Sequence, residues 1–177
     1  MKTAQATPPI FRNRQVFLDW VKAVNPKADL VSVMLFGLLH RASSQLIHIA
    51  EKRLEATGLT WPQFRLLMNL MHGEQQDCAA GMMPSELSER QNISRNTASA
   101  LISSLEAKGF ITRELDGSDR RKFLIRLTPK GSKMLHAQLE GHFNFIGELF
   151  ASLNTEERHA LRELLLKLNE GLKAKAK

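Results

Sequence analysis

Apolar positions recur at helical spacing through most of this chain and alternate in one place only. Val16, Phe17, Trp20, Val21 and Val24 fall on one stripe and predict an amphipathic helix over 14–24, which Asn25-Pro26 breaks. A long helix is predicted over 30–57. Its first half, LVSVMLFGLL, is apolar nearly all round and so must be covered on every side, which in a chain this small calls for a second subunit. Gly58 stops it, and Thr60 or Trp61-Pro62 starts the next helix with Phe64, Leu67, Met68 and Met71 inward, followed by a loop over 73–82. Pro84 suits the first position of a short helix, Asn92 tolerates a left-handed turn, and Ser94 is a natural N-cap for a second helix whose Ile93, Ala98, Leu101, Ile102 and Leu105 face a core. FITREL (110–115) and KFLIRL (122–127) then alternate as strands around the turn residues Asp116-Gly117. Thr128-Pro129 opens another long helix with Met134, Leu135, Leu139, His142, Phe143, Ile146, Leu149 and Phe150 as its stripe. Asn154 and Glu157 form a capping box before Leu161, Leu164, Leu165, Leu168 and Leu172, whose near-heptad spacing reads as an oligomer seam or, more plainly, a core helix.

The polar positions carry the functional signal. On the outer face of the helix after Asn92 lie Arg95, Asn96, Ser99 and Ser103, with Ser94 and Thr97 at its start. Short side chains allow close approach to a major groove, and Arg and Asn can bond base edges there. Pro84 and Ser85, opening the preceding helix, belong to the same candidate surface. The hairpin tip, DGSDRRK, places Arg120, Arg121 and Lys122 together, with Asp119 able to orient an arginine through a charge-assisted bond. A basic tip beside a polar-faced helix is what a wing reaching into a minor groove requires. Taken singly, the face could be an ordinary solvated helix and the tip a solvated charged turn.

Charge agrees with an acidic partner. The 177 residues carry a formal net charge of +7, and duplex DNA is the first candidate. No run of about 18 apolar residues occurs, so no spanning segment is expected. The first residues lack the apolar core of a secretory signal, and a single cysteine, Cys78, allows no intrachain disulfide. A soluble cytoplasmic protein without membrane partners is therefore expected. Catalysis is not: no G-x-S-x-G, HExxH, phosphate-cradling glycine loop or paired CxxC occurs, no cofactor is implied, and the histidines (40, 48, 72, 136, 142 and 159) show no i,i+4 pair.

LTWPQFRLLMNL (59–70), PSELSERQNISRNTASALISSLEAKGFITR (84–113), DGSDRRKFLIRLTPKG (116–131) and LNTEERHALRELLLKL (153–168) together resemble the multiple-antibiotic-resistance-regulator (MarR) family of winged helix-turn-helix regulators. The wing pattern Asp119-Arg120-Arg121 followed by LTPKG is specific in combination, and the likeness spans roughly 30–173. Asn92 stands where a glycine is usual, and the N-terminal extension is longer than in many members. The resemblance implies a mainly α fold with a small β-hairpin wing: a flexible arm over 1–12, dimerisation helices over 13–57 and 129–177, and a DNA-binding lobe over 58–128. It also implies a homodimeric regulator, a repressor by expectation, on a pseudo-palindromic double-stranded operator. A small aromatic or phenolic effector would sit in a cleft lined by His40, Ser44, Trp61, Phe64 and Met68, though core or hinge packing is the plainer role for each. Three alternatives stay open. Some relatives bind zinc; others sense oxidants through a cysteine near the first dimer helix, where Cys78 does not lie; and a winged helix can serve as a protein-interaction module without binding DNA.

Overall fold

The computed structural model describes residues 14–75, 81–117 and 122–175. Among them are α1 (Arg14–Val24), α2 (Leu30–Leu54), α3 (Trp61–Gln75), α4 (Pro84–Gln91), α5 (Arg95–Ala107), β1 (Ile111–Leu115), β2 (Phe123–Leu127), α6 (Pro129–Leu149) and α7 (Thr155–Lys175). The architecture is mainly helical with one small antiparallel hairpin. The chain divides into two units, 1–53 and 54–177.

In the first unit, Asp29 opens α2. Its carboxylate accepts from the Val31 N–H at 3.0 Å and from the Ser32 hydroxyl, and these bonds, the Ser32 hydroxyl foremost, hold its pKa below the usual value. The predicted α1 stripe is largely uncovered: Val16, Phe17, Trp20 and Val24 are exposed, and the side chain that is buried is Leu18, off that stripe. Helical spacing identified an apolar face but not what covers it. On α2, Val31, Leu35, Phe36, Leu38, Leu39, Leu46, Ile47 and Ile49 are exposed in the single chain. The expectation that no stretch is long and apolar enough to span needs correction as well. The run Leu30–Thr57 is long and apolar enough to cross a bilayer by length and composition, a weak indication that many core helices share. His40, Arg41, Ser43, Ser44, Gln45 and His48 interrupt the run, but the apolar residues around them outweigh these polar positions.

The second unit is built on Leu54, Leu59, Phe64, Leu66, Leu67, Leu70, Met71, Met82, Leu87, Ile102, Leu105, Ile111, Ile125 and Leu135. A short 3-10 turn, Glu55–Thr57, ends at Gly58, whose φ of 67° is the left-handed stop expected of a glycine there. Thr60 and Gln63 cap α3 reciprocally: the Thr60 N–H donates to Gln63 Oε1 at 3.1 Å, and the Gln63 N–H donates to Thr60 Oγ1 at 3.4 Å. α3 runs to Gln75 rather than ending at 72, because Met71 and Gly73 are still buried against the lobe. The predicted loop is shortened at its other end too. The Met82 N–H donates to Ile125 O at 3.0 Å and the Ile125 N–H to Met82 O at 2.8 Å, so this segment adds a bridge to the hairpin's second strand. Cys78 lies outside the described residues.

β1 and β2 pair with Ile111 opposite Leu127 and Leu115 opposite Phe123, and Asp116 N–H to Lys122 O, 3.0 Å, closes the described ladder. The hairpin's roots are tied tightly. Thr128 Oγ1 donates to Gly109 O at 2.7 Å and accepts from the Gly131 N–H at 3.0 Å, and the Thr128 N–H reaches Phe110 O. A Cβ on Gly131 would lie 2.0 Å from Phe110 O, so only glycine permits this approach of α6 to the start of β1. On α6 the buried side chains are Leu135 and Phe145, whereas Phe143, counted in the predicted stripe, is exposed. Asn154 and Glu157 cap α7 reciprocally at 2.8 and 2.9 Å. No side chain of α7 is buried: Leu164, Leu165, Leu168 and Leu172 all face out of the single chain.

Candidate nucleic-acid interface

Two helices and a left-handed residue make the core of the site. Pro84 opens α4, and the Glu86 carboxylate accepts from the Met83 N–H at 2.7 Å. Asn92 takes φ 54°, ψ 49°, and its N–H returns to Glu89 O while that of Ile93 returns to Ser88 O. The chain thereby turns sharply into α5. Ser94 caps α5, accepting from the Thr97 N–H at 3.1 Å, and its hydroxyl also bonds that of Thr97.

Ala98, Ile102 and Leu105 fix the inner face of α5 in the core; Leu101 is half-buried beside them. The opposite face therefore points outward, and Arg95, Asn96, Thr97, Ser99 and Ser103 are all exposed on it. A polar network missed in the sequence reading sets the height of α5 against α3. The buried amide of Gln63 donates to Ser104 Oγ at 2.8 Å and accepts from Lys108 Nζ at 3.0 Å, and the same ammonium donates to Gly58 O at 2.7 Å. One residue thus caps α3 and grips both the side and the end of α5. The T-x-x-Q spacing at 60–63 was the available signal.

Of the predicted wing residues, Lys122 is described and exposed at the start of β2; Asp119, Arg120 and Arg121 lie outside the described residues. A further cation comes from the wing's first strand. Arg113 donates from Nη2 to Ser103 Oγ at 2.8 Å, and its Nε pairs with Glu106 Oε2 at 2.9 Å. Ser103, read from sequence as a groove-facing hydroxyl, therefore also holds an arginine over its own helix. Pro84 and Ser85 are half-buried at the start of α4.

The candidate effector residues divide between the units. His40 and Ser44 belong to the first, where the Ser44 hydroxyl donates back to His40 O at 2.9 Å. Phe64 is core, Met68 packs against that core, and Trp61 is half-buried. Trp61 and Phe64 meet a residue that was not among the candidates: the His142 ring lies 4.9 Å from Phe64, edge-on, and 6.0 Å from Trp61. Among the described residues no group of three or more His, Cys, Asp or Glu side chains is placed to hold a metal ion.

Helix, left-handed turn, polar-faced second helix and antiparallel hairpin together define a winged helix-turn-helix. The MarR family profile matches residues 57–122. The HTH-type transcriptional repressor YetL of Bacillus subtilis (strain 168) is 31% identical over 144 residues, covering 81% of this chain and 84% of the relative. This chain belongs to the MarR family. Solved structures agree in fold. That of the S. aureus MepR–DNA complex superposes with a TM-score of 0.70 at 26% identity, over 76% of this chain and 95% of the other. Bordetella bronchiseptica BpsR, described with regulation of its DNA binding by 6-hydroxynicotinic acid, gives 0.66 at 27% identity, over 75% and 91%.

Proposed function

We propose that this chain is a homodimeric, sequence-specific regulator of transcription that represses by occupying a pseudo-palindromic operator. The observation that carries the reading is the outward face of α5, exposed, short-chained and polar, with Arg95 and Asn96 at its N-terminal end. Such a face lacks the large apolar anchors a protein-binding helix would present. Pro84, Ser85, Ser94, Thr97, Ser99 and Ser103 would position the helix against backbone and bases, with Asp119, Arg120, Arg121 and Lys122 serving the adjacent groove. The repressor name of YetL and the DNA complex of MepR support this assignment.

Dimerisation belongs to the helices at the two ends of the chain, 13–57 and 129–177, and DNA binding to 58–128. The exposed leucines of α7 and the apolar surface of α2 are the areas a second copy would cover. That cover, rather than lipid, accounts for the apolarity of α2 in a regulator working in the cytoplasm. A small aromatic effector is the expected modulator. The half-buried rings of Trp61 and His142, packed over the buried Phe64, supply flat apolar surface for one, and BpsR provides the precedent.

Selection from a random-sequence duplex library with purified protein tests the reading directly. It should recover inverted half-sites one helical turn apart, about 10–10.5 bp between centres. On the recovered duplex, Arg121→Ala should weaken binding most where the flanking minor groove is AT-rich and narrow, and Asp119→Ala should reproduce part of that loss. Recovery of no enriched sequence would reject the assignment, and normal binding by both folded variants would reject the wing's part in it.

A further inference from the structure

The proposed reading assigns DNA contact to α5 and to the wing tip. We infer that Arg113, on the first wing strand and outside both, is a further DNA-backbone contact, held over the C-terminal half of α5 by Ser103 and Glu106. This inference rests on the DNA-binding reading and extends it to a residue to which that reading gives no role.

Arg95, Ser99 and Ser103 follow one another at four-residue intervals and run up one edge of the outer face. Ser103 lies eight positions after Arg95, which at 1.5 Å per residue is about 12 Å along the axis. That length matches the width of a B-form major groove, about 12 Å. The N-terminal end of the face has its own cation, Arg95. The C-terminal end, Ser103 to Glu106, has none in α5 itself. The strand supplies it: the Arg113 guanidinium bonds Ser103 Oγ at 2.8 Å and Glu106 Oε2 at 2.9 Å while remaining 37% exposed. A helix lying in the groove between these cations would present one to each wall of phosphates.

Two of the guanidinium's five N–H groups are committed in these contacts, which leaves others for a phosphate oxygen. The clamp also fixes the side chain before DNA arrives, so little rotamer freedom remains to be lost on binding. Glu106 has a second effect. Its carboxylate stands where the phosphates would pass, and its repulsion weakens contact with any duplex that does not seat the helix fully. Glu106 is thus a positioning residue that favours specific over indiscriminate binding.

The test measures the dependence of log Kobs on log salt concentration for two labelled duplexes: one selected from a random library by the wild-type protein, and one of scrambled sequence. Arg113→Gln should flatten the slope on the selected duplex by about 0.9 per subunit bound, one phosphate contact each. Arg113→Lys, which keeps the charge, should retain most of the slope. Glu106→Gln should keep the slope, tighten binding to the scrambled duplex, and reduce the selected-to-scrambled affinity ratio. If folded Arg113→Gln and Glu106→Gln both leave slope and ratio at wild-type values, Arg113 does no more than fasten β1 to α5 and the inference is overturned. If the wild type itself selects no sequence and shows no salt dependence, the DNA-binding reading fails as a whole.

Discussion

Gly131 and Gly147 lie on the same helix and answer different demands. A Cβ at 131 would meet the Phe110 carbonyl at 2.0 Å, whereas one at 147 would meet nothing within 4 Å. Gly131→Ala should therefore destabilise the lobe by about 1–3 kcal/mol or more, because the obstacle is backbone and cannot swing aside. Gly147→Ala should be neutral or stabilising by up to about 1 kcal/mol, the ordinary gain of alanine over glycine in a helix. Urea denaturation of the two variants beside the wild type measures both. At Asp29 the bond from the Ser32 hydroxyl lowers the carboxyl pKa. A carboxylate whose folded pKa is depressed contributes stability above its unfolded value, near 3.8 here, and loses it as pH falls through the folded value. Ser32→Ala should raise the Asp29 pKa in an NMR carboxyl titration and lower stability above that pKa, neutral pH included, so that less is lost on acidification; the bonds from the backbone N–H groups of Ser32 and Val31 remain.

At the scale of elements, α5 is placed by groups it does not own. Gln63→Ala would strip Ser104 and Lys108 of a shared partner and leave the Thr60 N–H uncapped. A cost of about 1–3 kcal/mol is expected, the range for a polar group left unsatisfied. Chemical denaturation gives its size, and a loss below about 0.5 kcal/mol would show that apolar packing alone holds α5 in place. This network also marks where the sequence stopped being legible. The end of α1, both ends of α4, the start of α5, the hairpin turn and the start of α6 could be read from Asn25-Pro26, Pro84, Asn92, Ser94, Asp116-Gly117 and Thr128-Pro129, because caps and turns are local chemistry. The bridge of Met82 to Ile125, the burial of Phe145 and the reach of Arg113 to Ser103 depend on contacts between segments distant in sequence, which periodicity does not encode. The outer face of α5 was legible in full, since its polar side follows from its apolar one. The cation at its far end was not, because it comes from a strand.

For the whole molecule, the unsatisfied surface is the guide. Leu164, Leu165, Leu168 and Leu172 repeat along α7 without a buried member, and much of α2 is equally bare in the single chain. Water-exposed leucine in such quantity is unfavourable by about 25 cal/mol per Å², and a second copy would remove it. Native protein should sediment as a dimer at micromolar concentration, and the double change Leu165→Asp with Leu168→Asp should give monomers or unfolded chains. A wild-type monomer under those conditions would refute the twofold arrangement on which the half-site spacing depends. The fastening of the hairpin's roots has a different consequence, for how this family of shapes can vary. Gly109, Phe110, Thr128 and Gly131 lock both ends of the wing, and the Asp116–Lys122 bond closes the ladder above them. Lengthening the tip beyond Gly117 asks only for extra loop entropy, about 0.6 kcal/mol per doubling of length. An epitope or a fluorophore-bearing peptide inserted there should leave the lobe folded, and the same tolerance would let new tips be tried against new DNA without rebuilding the domain beneath.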